Sequence, residues 1–250
     1  MAADQHDPFS HSPMEQFEIR RYIPMDLAGF DVSFTNSSLF MAVATGLIVL
    51  FLTMGMRHRA LVPGRLQSMA ELSYEFVANM MRDTVGPEGQ KFFPFVFTLF
   101  MFVLFCNMIG MVPYTFTVTS HIIVTFALAL AIFIGVTILG FIKHGAGYLR
   151  LFVPHGVPVA LLPLIVVIEV ISYLSRPISL SVRLFANMMA GHTMLKVFGG
   201  FIVMLGIWGG WLPLAFSVAF VGLEVLVAFL QAYVFAVLTC IYLNDALHLH

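Results

Sequence analysis

Apolar residues fall in long unbroken runs along this chain, and the polar positions inside those runs are few. A helix crossing the hydrocarbon layer of a membrane needs about 20 mostly apolar residues. The run 38–56 meets that length, as do 92–112 and 120–142. Two far longer runs follow, 157–206 and 211–247, separated by G-I-W-G-G-W-L-P. A 45-residue helix would be about 67 Å long, twice the hydrocarbon thickness. Each long run must therefore contain a break or lie strongly tilted. No paired loop signal follows Pro163, which favours tilt, and Pro177 is where a kink would fall. Residues 65–84 follow another pattern: Leu66, Met69, Leu72, Phe76 and Met80 recur at helical spacing, with Gln67, Glu71, Glu75, Asn79 and Arg82 on the other face. That predicts an amphipathic helix lying on the membrane surface. The fold class expected is an all-α polytopic membrane protein. It has about five transmembrane helices and one amphipathic surface helix, and it closes on a long tilted C-terminal helix hairpin. Residues 1–37 form an N-terminal tail and 38–250 a single membrane domain.

Composition and charge sharpen this picture. The chain of 250 residues is 60% hydrophobic and only 10% charged, with a mean hydropathy of +0.96. Soluble domains carry about 25% charged residues, so this chain lacks the polar surface to cover a water-exposed globule. A net charge of −1 without a basic stripe argues against nucleic acid. Cys106 and Cys240 both lie in apolar runs, which excludes a disulfide framework and a cysteine metal cluster. The polar start M-A-A-D-Q-H-D-P has neither the basic nor the apolar region of a signal peptide. Arg57, Arg59, Arg65, Arg82 and Lys91 lie between the first two spans, and Lys143 and Arg150 follow the third. The alternate loops, 113–119 and 206–213, carry no charge. The positive-inside rule then puts the basic loops and the C-terminus in the cytoplasm and the N-terminal tail outside.

Inside the two long runs sit Glu169, Arg176, Arg183, Lys196 and Glu224, with His192 and Gln231 beside them. A charge at the centre of a spanning helix costs about 2.5–3.5 kcal/mol on insertion scales. Arg183 is too far from either end of its run to snorkel, so it must face protein or water. Glu169, Arg176, Arg183 and Asn187 lie at steps of 7, 7 and 4 and share one helix face. His192, nine residues past Arg183, falls on the opposite face, displaced by about 13 Å along the axis. If the two runs pack antiparallel about a turn near Trp208, His192 lies level with Glu224, and Gln231 approaches Arg183. Histidine titrates near neutrality and a buried glutamate is moved toward that range, so His192 and Glu224 suit proton exchange. Arginine stays charged and suits an electrostatic barrier. The residues alone leave Arg183 open to a structural ion pair with Glu169 or Glu224. They leave Arg176 as an anchor, Lys196 as a snorkelling residue, and Asn107 as either a lining group or an interhelical hydrogen bond.

The stretch S-L-S-V-R-L-F-A-N-M-M-A-G-H at 179–192 resembles the signature of F-type ATP synthase subunit a. So do F-C-N-M-I-G-M-V-P-Y at 105–114, L-Q-A-Y-V-F-A-V-L-T at 230–239 and I-Y-L-N-D-A-L-H at 241–248. The resemblance implies that Arg183 faces a rotating ring of c subunits, with Asn187 and Gln231 beside it and Glu169 toward the cytoplasmic exit. It implies b-type peripheral stalk partners, no cofactor, no metal and no direct ATP binding. Many bacterial members carry Glu at the position of His192 and His at that of Glu224. The exchanged order here is similar to the mitochondrial type and its bacterial relatives.

The functions that compete with this one are less well supported. A stand-alone channel or transporter would favour internal repeats or one continuous polar stripe, and neither is visible. An intramembrane metalloprotease needs ligands such as H-E-x-x-H, and a nucleotide site needs a phosphate-cradling glycine loop; both are missing from the sequence.

Overall fold

The structure, a computed structural model, describes residues 19, 21–24, 26–27, 30–31, 33–57, 63–112, 115–153 and 161–248. Before the first span the chain forms two short antiparallel pairs: β1 (Arg21–Ile23) with β4 (Phe34–Thr35), and β2 (Asp26–Leu27) with β3 (Phe30–Asp31). No alternation in the tail announces these strands. Thr35 then caps α1 (Asn36–Gly55), its hydroxyl accepting from the Ser38 amide. Next come α2 (Arg65–Val85), α3 (Phe93–Gly110), α4 (Ile122–His144), α5 (Leu162–Gly209) and α6 (Trp211–Leu247). Five of these, all but α2, are long and apolar enough to span a membrane. The expected start of the fourth span at 157 lies outside the described residues, as do His6, His11, His58, His155 and His250.

The long hairpin forms without interruption at Pro177, whose ring is buried within α5 while the backbone stays helical. The break falls instead at Gly206, at φ +59°, a left-handed region in which a side chain would clash with the backbone. α6 starts five residues later. The helix α2 turns inward a face rotated by roughly a third of a turn from the one its periodicity suggests. Gln67, Ala70, Val77 and Met81 are buried, whereas Leu66, Met69 and Leu72 remain exposed. Gln67 tolerates burial by donating to Glu71 at 2.8 Å, and Ala70 accepts the close approach of Gly55 at the end of α1. The exposed leucine and methionine row is then left for lipid.

The core lies between α2, α3, α4 and α6. Ala228, Ala232 and Ala236 are fully buried at successive turns of α6, and their small size lets α3 approach closely. Asn107 of α3 donates to the Ala228 carbonyl at 3.3 Å, so it serves as an interhelical hydrogen bond. Only 17% of the most apolar stretch of α5, and the same share of α6, is buried within the chain. The remaining apolar surface would be untenable in water and belongs against lipid or other apolar helices.

Candidate functional site

Three polar pairs join α5 to α6. The first is His192 with Glu224, Nδ1 to Oε1 at 2.5 Å, the side chains 10% and 5% exposed. His192 is also bound on its other nitrogen: Nε2 lies 2.7 Å from the Gly110 carbonyl at the end of α3. A carbonyl can only accept, so Nε2 carries a hydrogen and the tautomer is set. One proton is then shared between Nδ1 and Oε1, either as neutral imidazole with carboxylic acid or as imidazolium with carboxylate. Such a pair can take up or release a proton while changing its charge by one. Its closeness depends on Gly191, where an added Cβ would stand 2.7 Å from Glu224 Oε1.

One to two turns deeper along α5, Asn187 donates to Gln231 Oε1 at 3.2 Å. Gln231 is 3% exposed, and its amide nitrogen is buried with no hydrogen-bond partner among the described residues. Counting from the turn predicts Gln231 opposite Arg183; the structure gives Gln231 to Asn187, a turn further on. Arg183 itself is exposed on the outside of α5 and makes no hydrogen bond or ion pair among the described residues. The alternative of a structural ion pair with Glu169 or Glu224 is therefore not realised: Glu224 is held by His192, and Glu169, half-buried near the start of α5, makes no ion pair among the described residues.

The third pair escaped the sequence reading. Arg176 Nη1 meets Asp245 Oδ2 at 2.9 Å, and its guanidinium lies over the rings of Tyr173 and Tyr242 at 5.3 and 5.0 Å. Tyr173 is anchored in turn through its hydroxyl, 2.7 Å from Thr137 and 3.0 Å from Tyr148. The same distance-from-the-turn count that pairs His192 with Glu224 leads to Asp245, which lies inside the run 211–247 but beyond Glu224, the last charge weighed there. Among the described residues no three His, Cys, Asp or Glu side chains converge as a metal site.

The arrangement therefore separates two chemistries on one helix. A buried pair able to exchange protons faces α3 and α6, and a permanent cation faces outward about 13 Å away along the axis. The profile of the ATP synthase A chain family matches residues 38–244. The chain is 67% identical over 240 residues to ATP synthase subunit a of Pelagibacter ubique, covering 96% of this chain and 98% of that protein. It is 62% identical over 242 residues to ATP synthase subunit a of Chelativorans sp. (94% and 97% covered) and 59% over 240 residues to that of Rhodospirillum rubrum (96% and 100% covered). A match running through the whole polar hairpin, at this identity over nearly the full length, means that this chain belongs to the ATP synthase A chain family.

Proposed function

We propose that this chain is the proton-translocating stator subunit of the membrane sector of an F-type ATP synthase, a multi-pass protein of the bacterial inner membrane. The observation that carries the reading is the split just described: a buried His192–Glu224 pair and an outward, unpaired Arg183 on opposite sides of α5. Two offset aqueous half-channels fit that split. A proton from outside reaches the ring of c subunits by way of His192 and Glu224. It travels with the ring and leaves past Glu169 into the cytoplasm. Arg183, with Asn187 and Gln231 beside it, stands between the two paths and meets each ring carboxylate as an anion. A unit charge crossing 100 mV releases about 2.3 kcal/mol, which the ring delivers as rotation. The chain itself neither binds nor hydrolyses ATP. It is held against rotation by b-type peripheral stalk subunits. Its N-terminal tail lies outside and its C-terminus in the cytoplasm, as the basic loops require.

The test is Arg183→Lys in membranes carrying the whole complex. A compact ammonium can shed its proton where guanidinium cannot. ATP-driven acidification is expected to vanish while the complex assembles to its normal amount, and near-normal pumping in that variant would overturn the assignment.

A further inference from the structure

We propose that Arg176 is a positioning residue that sequesters Asp245, so that Arg183 keeps no ion-pair partner among the described residues; this deepens the function proposed above and rests on it. The three polar pairs are 32, 44 and 69 residues apart in sequence, and all are centred within a few residues of the Gly209–Gly210 turn. They are rungs of one antiparallel register. Two rungs lie on the turn side of Arg183. The Arg176–Asp245 rung is, among the described residues, the polar link between α5 and α6 on the other side.

Arg176 and Arg183 lie seven residues apart on one helix face, about 10 Å along the axis. Between them, on α6, stands Tyr242. Its ring carries the Arg176 guanidinium at 5.0 Å. Asp245 is one turn beyond Tyr242 on the same face of α6. Two guanidinium groups thus lie along one face of α5, and Asp245 pairs with Arg176 and not with Arg183. Arg176 is the better competitor because two tyrosine rings hold its planar group, and Tyr173 is itself fixed by Thr137 and Tyr148. With Arg176 removed, Asp245 is a partnerless carboxylate beside an unpaired arginine. Pairing between those two would quench the cation that the ring carboxylates must meet.

The experiment measures ATP-driven proton pumping per assembled complex in inverted membranes. Arg176→Gln is expected to lower it about tenfold, with Arg176→Lys keeping most of it. The deciding variant is Arg176→Gln with Asp245→Asn, which removes the carboxylate as well and is expected to recover pumping to within about threefold of the original. A clamp that merely ties the helices together would leave the double variant as poor as Arg176→Gln or worse, and that result overturns the proposal. Should Arg176→Gln fail to assemble, the double variant still decides: assembly with pumping supports sequestration, and failure overturns it. Arg183→Lys in the same membranes reports separately on the function proposed above, since normal pumping there would remove the cation's role whatever Arg176 does.

Discussion

A guanidinium in mid-span is costly, and the chain carries two within seven residues, treating them in opposite ways. Arg176 is neutralised by Asp245 and shielded by tyrosine rings, while Arg183 is left outward without a partner. A structural cation would be satisfied within its own chain, so the lack of a partner at Arg183 is what singles it out. The His192–Glu224 contact works on the same scale but is not symmetric. His192 also donates to the Gly110 carbonyl, which a carboxylate at that position could do only when protonated. Replacing His192 by Glu and Glu224 by His together is therefore expected to pump better than either single change yet below the original, as read by acidification of inverted membranes. A double variant no better than the worse single one would mean that the two side chains do not act as a pair. Rare polar residues at matched distances from a turn made this contact legible in the sequence. The same counting could not separate Arg183 from Asn187 as the partner of Gln231, since a difference of one turn lies within its error.

At the scale of elements, the decisive quantity is how closely α5 and α6 approach. Gly191 lies directly against Glu224, and its hydrogen leaves room for the carboxylate. Gly191→Ala would put a methyl 2.7 Å from Oε1 and 3.0 Å from the carboxyl carbon, forcing the side chain off Nδ1. Overpacking of this kind costs about 1–3 kcal/mol. Proton-driven ATP synthesis is expected to fall about tenfold with α5 and α6 still assembled, and unchanged synthesis would show that the short His192–Glu224 contact is dispensable. Five spans were legible from hydropathy alone, because a spanning helix has no other way to satisfy its backbone. It could not say which face of α2 turns inward, since that is decided by Ala70 meeting α1 and by Val77 and Met81 joining the core, contacts that sequence spacing does not contain. The uninterrupted passage of α5 through Pro177 agrees with the absence of a loop signal after Pro163, although an interior proline by itself is compatible with both a kink and a straight run.

For the molecule as a whole, the polar work is concentrated at the hairpin and the rest is scaffold. The end of α6 is held where Lys143 and His144 both reach the Leu247 carbonyl, at 3.1 and 3.3 Å, and Lys143 also pairs with Glu88 at 2.7 Å. Three segments distant in sequence thus meet at one edge and orient the hairpin. What they orient is incomplete: the outward face of α5 carries Arg183 among exposed Ile178, Val182 and Met194, a surface that needs apolar company. The purified chain in liposomes is accordingly expected to show no proton conductance above that of empty liposomes under an imposed potential. Conductance well above that background would favour a self-contained channel. These incomplete surfaces were foreseeable from the 10% charge content, whereas the small strands before α1 were not, being too short to leave a pattern.

The Gly110 carbonyl sets a limit on how His192 can handle protons. A histidine that passes a proton through its ring must receive at one nitrogen and release at the other. Here the second nitrogen donates to a peptide oxygen, which has no useful basicity and hands nothing on. The imidazole is also pinned and cannot rotate to present its faces in turn. In the function proposed above, His192 would thus be a dead-end berth and not a through-conductor, its proton arriving and departing at Nδ1. Onward traffic would then belong to the carboxylate of Glu224, whose second oxygen takes no part in the contact with His192.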